Sequence, residues 1–415
     1  MKLMYIASLD FYTKPNPSYH LMTTMLEDIL NSGIEVLLLG CAEEGVTEHI
    51  PTFLEKHPHF TYYLIPCPKV EKSDFARRYF NGIQYSRAVG KLIKQYINEC
   101  NLVFVQSSPT VLYTLHYASK YARNKKIIYN VQDMFPGSSI ASGVMPQKWM
   151  QFIFYRLQKI AYQKADVITA ISEDMKNKLI EQGVPNDKIK VIVNWFDDSS
   201  VHEVSWQENR FVQKYNMSPD LFYVQYAGTM GYVFDYNMVI NVAEKLKEQK
   251  DIVFQMIGEG SQKEAFIQAA KDKGLENIVF LPLEKQEMVS DVYSACSVCF
   301  IPLKKGIIGN SVPSKAGLLM ACKRAIITSV DKNSDYYNMI DKYAGIAADN
   351  DNPDEIVQAI LHMKNKRDVC TAYGISGYEY GHELYSRSNN MKKYLELFEQ
   401  CAVGKKQNAM TKEDK

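Results

Sequence analysis

Residues 310–327, NSVPSKAGLLMACKRAII, place Pro313, Ser314 and Lys315 directly ahead of an apolar, helix-like run. The first turn of a helix leaves backbone N–H groups unpaired at the positive end of its dipole, so a hydroxyl and an ammonium there suit an anion, and a diphosphate would fit. The same residues admit a plainer role, with Ser314 capping the helix and Lys315 in solvent. Two glycine turns carry related chemistry. YAGTMG puts Gly228 and Gly231 after a strand, and MIGEGSQKEAF puts Gly258, Glu259 and Gly260 at a strand-to-helix turn, where backbone without Cβ approaches phosphate closely. Neither completes a dinucleotide fingerprint or a P-loop, and each could simply turn the chain. In VQDMFP, Asp133 follows a strand and precedes Phe135-Pro136, where a carboxylate could take a proton from an acceptor hydroxyl or only hydrogen-bond its own turn.

The elements that must position these residues alternate strand and helix. KLMYIAS, a helix over about 19–31, IEVLLLG, NLVFVQS, KIIYNVQ, DVITAIS and IKVIV form one series. After an irregular polar stretch from Asp197 to Ser218 comes a second: FYVQYAG, DIVFQMIG, NIVFLPL, VCFIPL, RAIITS and AGIAA. Short continuous apolar runs between amphipathic helices mean parallel sheets covered on both faces, hence α/β architecture with two doubly wound domains of similar size. Ligands of such sheets bind at the carboxyl ends of the strands, where the glycine turns and Lys315 fall.

Composition bounds the rest. A chain of 415 residues, 46% hydrophobic and 23% charged, suits an ordinary two-domain enzyme, and a net charge of +1 argues against a broad nucleic-acid surface. The opening MKLMYIASLD reads as a buried strand rather than a signal peptide, and no window is apolar enough to span a membrane, so a cytoplasmic protein is expected, with any membrane contact peripheral. The eight cysteines lack disulfide or zinc spacing. Cys296 and Cys299 form a CxxC within a strand-like run and read as buried thiols; His57 and His59 read as a polar loop. The polar tail, residues 403–415, is expected to be disordered.

The segment ADVITAISEDMKNKLIEQGVPNDKIKVIVNWFD, residues 165–197, resembles the end of the N-terminal domain in the GT-B glycosyltransferases of family four. The order YAGTMG, MIGEG, NIVFLPL, VCFIPLK and VPSK is similar to the C-terminal half of that family. YNVQDMFPGSSIASG, residues 129–143, resembles its branch for O-antigen, capsule and exopolysaccharide assembly, including L-fucosamine transferases. The resemblance runs to about residue 400. It implies two Rossmann-like domains facing an interdomain cleft: an acceptor-binding domain over 1–200, a nucleotide-sugar-binding domain over 205–385, and a helix over 386–402 returning to the first. It implies sugar transfer from a nucleotide donor with retention of configuration, no cofactor and no metal. The donor, a UDP-sugar such as one carrying an N-acetylated hexosamine, would have its base near Leu283 and its diphosphate among Gly228, Gly231, Ser314 and Lys315, with Glu259 orienting the sugar. Asp133 and Lys315 would be catalytic.

The chain departs from the family in places. Many members carry two Glu residues spaced by seven others, the second contacting the donor ribose, and Leu318 stands at that second position. Lys323 and Ala325 replace the Gly and Pro that usually follow. The Arg and Lys common after the first glycine turn are missing, with Lys304, Lys305 and Lys315 as candidate substitutes, and KPNPSYH replaces the N-terminal glycine-rich loop. Gln132 stands where many members have His.

Arg77, Arg87, Lys91 and Lys94 fall on one side of a helical stretch, and Trp149, Phe152 and Phe154 lie among Lys148, Arg156 and Lys159. Both segments suit a polyprenyl-diphosphate-linked glycan acceptor at the inner face of the cell membrane, or a helix packed on its own sheet with a solvated basic face. Two other readings stay open: a nucleotide-sugar-binding partner that has lost catalysis, and a sugar-nucleotide epimerase on the same scaffold.

Overall fold

The computed structural model describes residues 1–7, 19–70, 74–196, 201–313 and 315–403, and the chain forms two compact units. The first comprises residues 1–137, 147–194 and the described chain from Asn390 on; the second comprises 138–146 and 195–389. Residues 138–146, within the stretch assigned above to the first domain, group with the second unit. The closing helix, Arg387–Val403, begins in the second unit and finishes in the first. Ser314 and the tail from 404 on lie outside the described residues.

The first unit holds seven parallel strands: β1 (Lys2–Ile6), β2 (Glu35–Glu43), β3 (Phe60–Cys67), β4 (Leu102–Gln106), β5 (Lys126–Asn130), β6 (Val167–Ala170) and β7 (Ile189–Val191), in the order β3-β2-β1-β4-β5-β6-β7. β3 is absent from the sequence reading. Its run, FTYYLIPC, is half-exposed along most of its length, and as an edge strand it lacks the apolar signal of a strand covered on both faces. The second unit holds β8 (Phe222–Ala227), β9 (Ile252–Ile257), β10 (Ile278–Leu281), β11 (Val298–Pro302), β12 (Ile326–Val330) and β13 (Gly345–Asp349), in the order β10-β9-β8-β11-β12-β13. All pairings between these strands are parallel, so every connection is a crossover and each strand delivers its carboxyl end to the same edge of its sheet. The strand order reverses between β1 and β4 and between β8 and β11, the points where a doubly wound sheet opens a crevice at those ends.

Phe254, Phe300 and Ile327 on the strands, with Phe266 and Ile360 on the covering helices, build the core of the second unit. Phe266 meets Phe234, Tyr236 and Phe280 with ring centroids 4.9–5.7 Å apart. The irregular stretch read from Asp197 to Ser218 holds a short turn of helix, Arg210–Lys214, that buries Phe211 and Val212 and is started by Asn209, whose side-chain oxygen accepts from the N–H groups of those two residues. Phe211 is fully buried there, so this connection contributes to the core.

Candidate functional site

In the second unit the carboxyl ends of β8 and β9 are joined by their glycine turns. Gly228 N–H donates to the Ile257 carbonyl (2.8 Å), Met230 N–H to the Glu259 carbonyl (2.9 Å), and Gln262 N–H to the Met230 carbonyl (3.0 Å). Gly258 has φ +138°, and a Cβ there would overlap the Gly228 carbonyl oxygen; only glycine lets the two turns lie this close. Gly231 contributes its carbonyl, which accepts from the Gln262 amide at 3.0 Å.

Lys315 opens the short helix Lys315–Ala321 between β11 and β12 and reaches back across this junction. A Cβ on Gly228 would strike its Cε. The ammonium donates to the Tyr226 hydroxyl at 2.6 Å and stands 3.9 Å from the centroid of that ring, while the hydroxyl donates to the Thr229 carbonyl at 2.7 Å. Tyr226 is buried, and burial pushes its hydroxyl pKa up. Lys315 as a whole is half-buried, and desolvation of its ammonium pushes its pKa down to about 8. The result is a cation near neutrality whose hydrogen bond goes to a phenol and whose desolvation an incoming anion would relieve. Tyr226 escapes the sequence reading because a strand tyrosine before Ala-Gly carries no mark of its contact with a lysine 89 residues away.

The other second-unit candidates sit around this centre. Glu259 is exposed and paired with Lys263 at 2.6 Å, so its carboxylate is engaged in an i,i+4 ion pair. Leu283 is 57% exposed just past β10, two residues after Leu281, whose carbonyl accepts from Gly258 N–H at 3.2 Å. Next to it Glu284 is tied to Lys214 (2.7 Å) and the Tyr215 hydroxyl (2.6 Å), which anchors that loop and holds the Glu284 carboxyl below its ordinary pKa. Lys305 is exposed and paired with Asp351 at 2.5 Å, so it is a poor substitute for the missing phosphate cations. Leu318 is half-buried on the helix and offers no acceptor. Lys323 adopts φ +52°, the left-handed conformation favouring glycine, at the position where the resemblance expects Gly. The Cys296 and Cys299 thiols are buried and burial raises both, Cys296 to about 12, the opposite of what thiolate ligands need. Among the described residues no group of three or more His, Cys, Asp or Glu gathers as a ligand set.

In the first unit the carboxyl ends of β4, β5 and β6 carry a neutral polar network. The Asn130 amide donates to Thr169 Oγ1 (2.8 Å) and to the Tyr394 hydroxyl (2.9 Å). Gln132 donates its amide to Asn130 Oδ1 (2.9 Å), accepts from the Asn194 amide (2.7 Å), and its backbone N–H donates to Ser107 Oγ (3.0 Å). At the position where the resemblance expects an imidazole, Gln132 is thus the hub that holds the loop carrying Asp133. Asp133 itself is exposed, and the loop is anchored beyond it by Phe135, whose ring lies 6.0 Å from Phe75 and 5.1 Å from Phe154. The network draws on β4, β5, β6 and the closing helix, so no local pattern announces it. Arg77, Arg87 and Lys91 are exposed on the helix Phe75–Tyr96, and Trp149 is exposed on the helix Lys148–Lys164.

Residues 22–200 match the family model described as Glycosyltransferase Family 4, and residues 222–366 match the model described as Glycosyl transferases group 1. The Pseudomonas aeruginosa protein named Probable glycosyltransferase WbjE is 24% identical over 250 residues, 58% of this chain and 60% of that protein. An Escherichia coli K12 protein provisionally named a colanic acid biosynthesis glycosyl transferase, WcaI, is 20% identical over 239 residues, 57% and 58% of the two chains. These matches span about three fifths of the relatives' length. Among solved structures, HepE of Anabaena in complex with UDP and glucose superposes with a TM-score of 0.71 at 14% identity, over 96% of this chain and 99% of that one. Sucrose-phosphate synthase from Thermosynechococcus elongatus reaches 0.76 at 13% identity, over 96% and 98%. The first unit thus matches Glycosyltransferase Family 4 and the second matches Glycosyl transferases group 1, and the two units have the GT-B fold of these structures.

Proposed function

We propose that the protein transfers a sugar, such as an N-acetylated hexosamine, from a UDP-sugar to a lipid-linked or growing cell-surface polysaccharide, with retention of configuration and without a metal. The observation that carries the reading is Lys315, a desolvated ammonium laid against Gly228 and Tyr226 at the carboxyl ends of β8 and β9. A nucleoside diphosphate placed there finds a point charge and glycine backbone, and the ammonium neutralises the charge that develops on the departing phosphate. In this reading Gly231 lines the same diphosphate, exposed Leu283 offers an apolar surface to the base, and Glu259 turns from Lys263 toward the sugar; Ser314, assigned to the diphosphate by the resemblance, lies outside the described residues. The bond from the anomeric carbon to phosphate breaks and the bond to the acceptor oxygen forms on the same face, so configuration is kept without a carboxylate nucleophile. Asp133 takes the acceptor proton. UDP bound to Anabaena HepE supports the choice of nucleotide, and the name of WcaI supports the class of acceptor.

The test is nucleotide release by the purified protein from a panel of UDP-, GDP- and dTDP-sugars, with wild type compared to Lys315→Ala. Release of UDP alone, lost in the variant, is the expected outcome; release of a different nucleotide would replace the donor assignment. A second reading, a donor-binding partner without catalysis, is favoured by one feature: half-buried Leu318 cannot accept from a ribose hydroxyl. Nucleotide binding without release, even with membrane extract supplied as acceptor, would select it.

A further inference from the structure

We infer that an open groove along the edge of the second sheet is a saccharide-binding site, separate from the centre around Lys315. β13 is the last strand of that sheet, with β11 and β12 between it and β8 and β9, and neither the glycine turns nor Lys315 lines the groove. Its volume is about 550 Å³, within the roughly 300–1,000 Å³ usual for small-molecule sites. The apolar lining comes from Ile346 and Ala347 of β13 and from Ala359 of the helix Pro353–Asn365. That helix is started by Asn352, whose side-chain oxygen accepts from Glu355 N–H at 3.3 Å. Ile356, Ile360 and Met363 bury it in the core, and Glu355, Gln358 and His362, at i, i+3 and i+7, are left exposed along the groove. Tyr337, half-buried on the short helix Asp335–Met339, and exposed Lys332 just ahead of it complete the polar lining.

The fold leaves these polar groups unengaged. Among the described residues the side chains of Lys332, Tyr337, Glu355, Gln358 and His362 make no hydrogen bond or ion pair, whereas neighbouring Asp354 is held by Lys245 at 2.9 Å. Burial and the Asp341, Glu355 and Asp349 carboxylates push the Tyr337 phenol up, so it stays protonated and can both donate and accept. The charge pattern selects the class of ligand. Those three carboxylates repel a phosphate or a carboxylate, Lys332 disfavours an organic cation, and among the described residues no group of three or more His, Cys, Asp or Glu gathers to hold a metal ion. An added peptide strand would need the outer N–H groups of β13, and that of Ala347 already donates to Asp341 Oδ1 at 3.2 Å. A neutral polyol with one apolar face meets every condition. A pyranose would lay its C–H face on Ile346, Ala347 and Ala359, and its hydroxyls, each both donor and acceptor, would meet the Gln358 amide, the Glu355 carboxylate and the phenol. An open groove admits a short chain of such rings. The inference rests on the proposed transfer to a polysaccharide for the origin of the glycan, and the groove would hold that glycan by residues other than those proposed to carry out the transfer.

The test is saturation-transfer NMR of the full chain with maltotetraose, cellotetraose and chitotetraose in turn, followed by titration to a dissociation constant. Binding of at least one of the three without any nucleotide is expected, with a constant that saturating UDP leaves unchanged. Tyr337→Ala with Gln358→Ala should raise that constant by about tenfold or more, through the loss of two contacts. Should that pair lower the thermal unfolding midpoint, Gln358→Trp carries the same expectation, since an indole at this exposed position fills the groove without touching the core. No binding of any of the three, binding indifferent to these variants, or displacement by UDP overturns the inference. Tetrasaccharide binding without nucleotide release would leave the groove a saccharide site and the transfer reading fallen, and release without tetrasaccharide binding would do the reverse.

Discussion

The two sheets share a winding pattern, and their carboxyl edges have opposite chemistry. At the edge of the second unit a single desolvated ammonium is held by a phenol over backbone made accessible by glycine. At the edge of the first, Asn130, Gln132, Asn194, Thr169 and Tyr394 satisfy one another without a formal charge, and behind them lies a helical layer crowded with cations. The difference teaches that the scaffold decides only where chemistry is presented: which edge suits an anion is decided by what the loops leave unneutralised.

The largest expected effect falls on that contrast directly. Lys315→Met should lower nucleotide release by about 10²–10³-fold, the usual cost of removing one donor to developing charge. Because it also deletes a desolvated cation, it should leave the unliganded protein at least as stable as wild type. A variant that loses both release and stability would show Lys315 to be structural, and the contrast between the two edges would collapse. Asp133→Asn should reduce transfer to acceptor by about 10²-fold while UDP affinity, measured by calorimetry, stays unchanged.

Next comes Gln132→Ala, which strands Asn194 and Asn130 at once and should cost about 1–3 kcal/mol in denaturant unfolding. A neutral result would show that the first edge is not the rigid counterpart of the second. The pH dependence sharpens the comparison further. With a pKa of about 8 in the free protein and a higher one beside diphosphate, Lys315 is charged in both states well below pH 8, so UDP affinity should be flat there. Above pH 8 binding must take up a proton, and affinity should fall by up to about tenfold per unit. Unfolded lysine titrates near 10.5, so between about 8 and 10.5 the unfolded chain binds more protons and the stability of the unliganded protein should rise with pH. Lys315→Met should abolish both trends. The smallest effect is at Lys323, whose left-handed backbone a glycine would adopt without strain. Lys323→Gly should gain about 0.5–1 kcal/mol, less whatever its contacts with Glu203 (3.3 Å) and the Tyr378 ring contribute.

Much of this organisation is legible in the linear chain because it is local or periodic. Among the described residues, twelve of the thirteen strands announce themselves as short apolar runs, since a strand covered on both faces must be apolar on both. The helix Tyr19–Asn31 and the glycine turns follow from amphipathic spacing and from the left-handed backbone that other residues resist. The half-exposed edge strand Phe60–Cys67 has no such signal, and the short helix Arg210–Lys214, with only Phe211 and Val212 buried, hides in a polar connection. What only the tertiary structure decided are the pairings between distant residues: Lys315 with Tyr226 and Gly228, Glu259 with Lys263 rather than standing free, Lys305 with Asp351, and Gln132 with Asn130 and Asn194. Residue types and periodicity are properties of the chain, whereas whether a charge is desolvated, neutralised or left over depends on which neighbours the packing brings within about 3 Å of it.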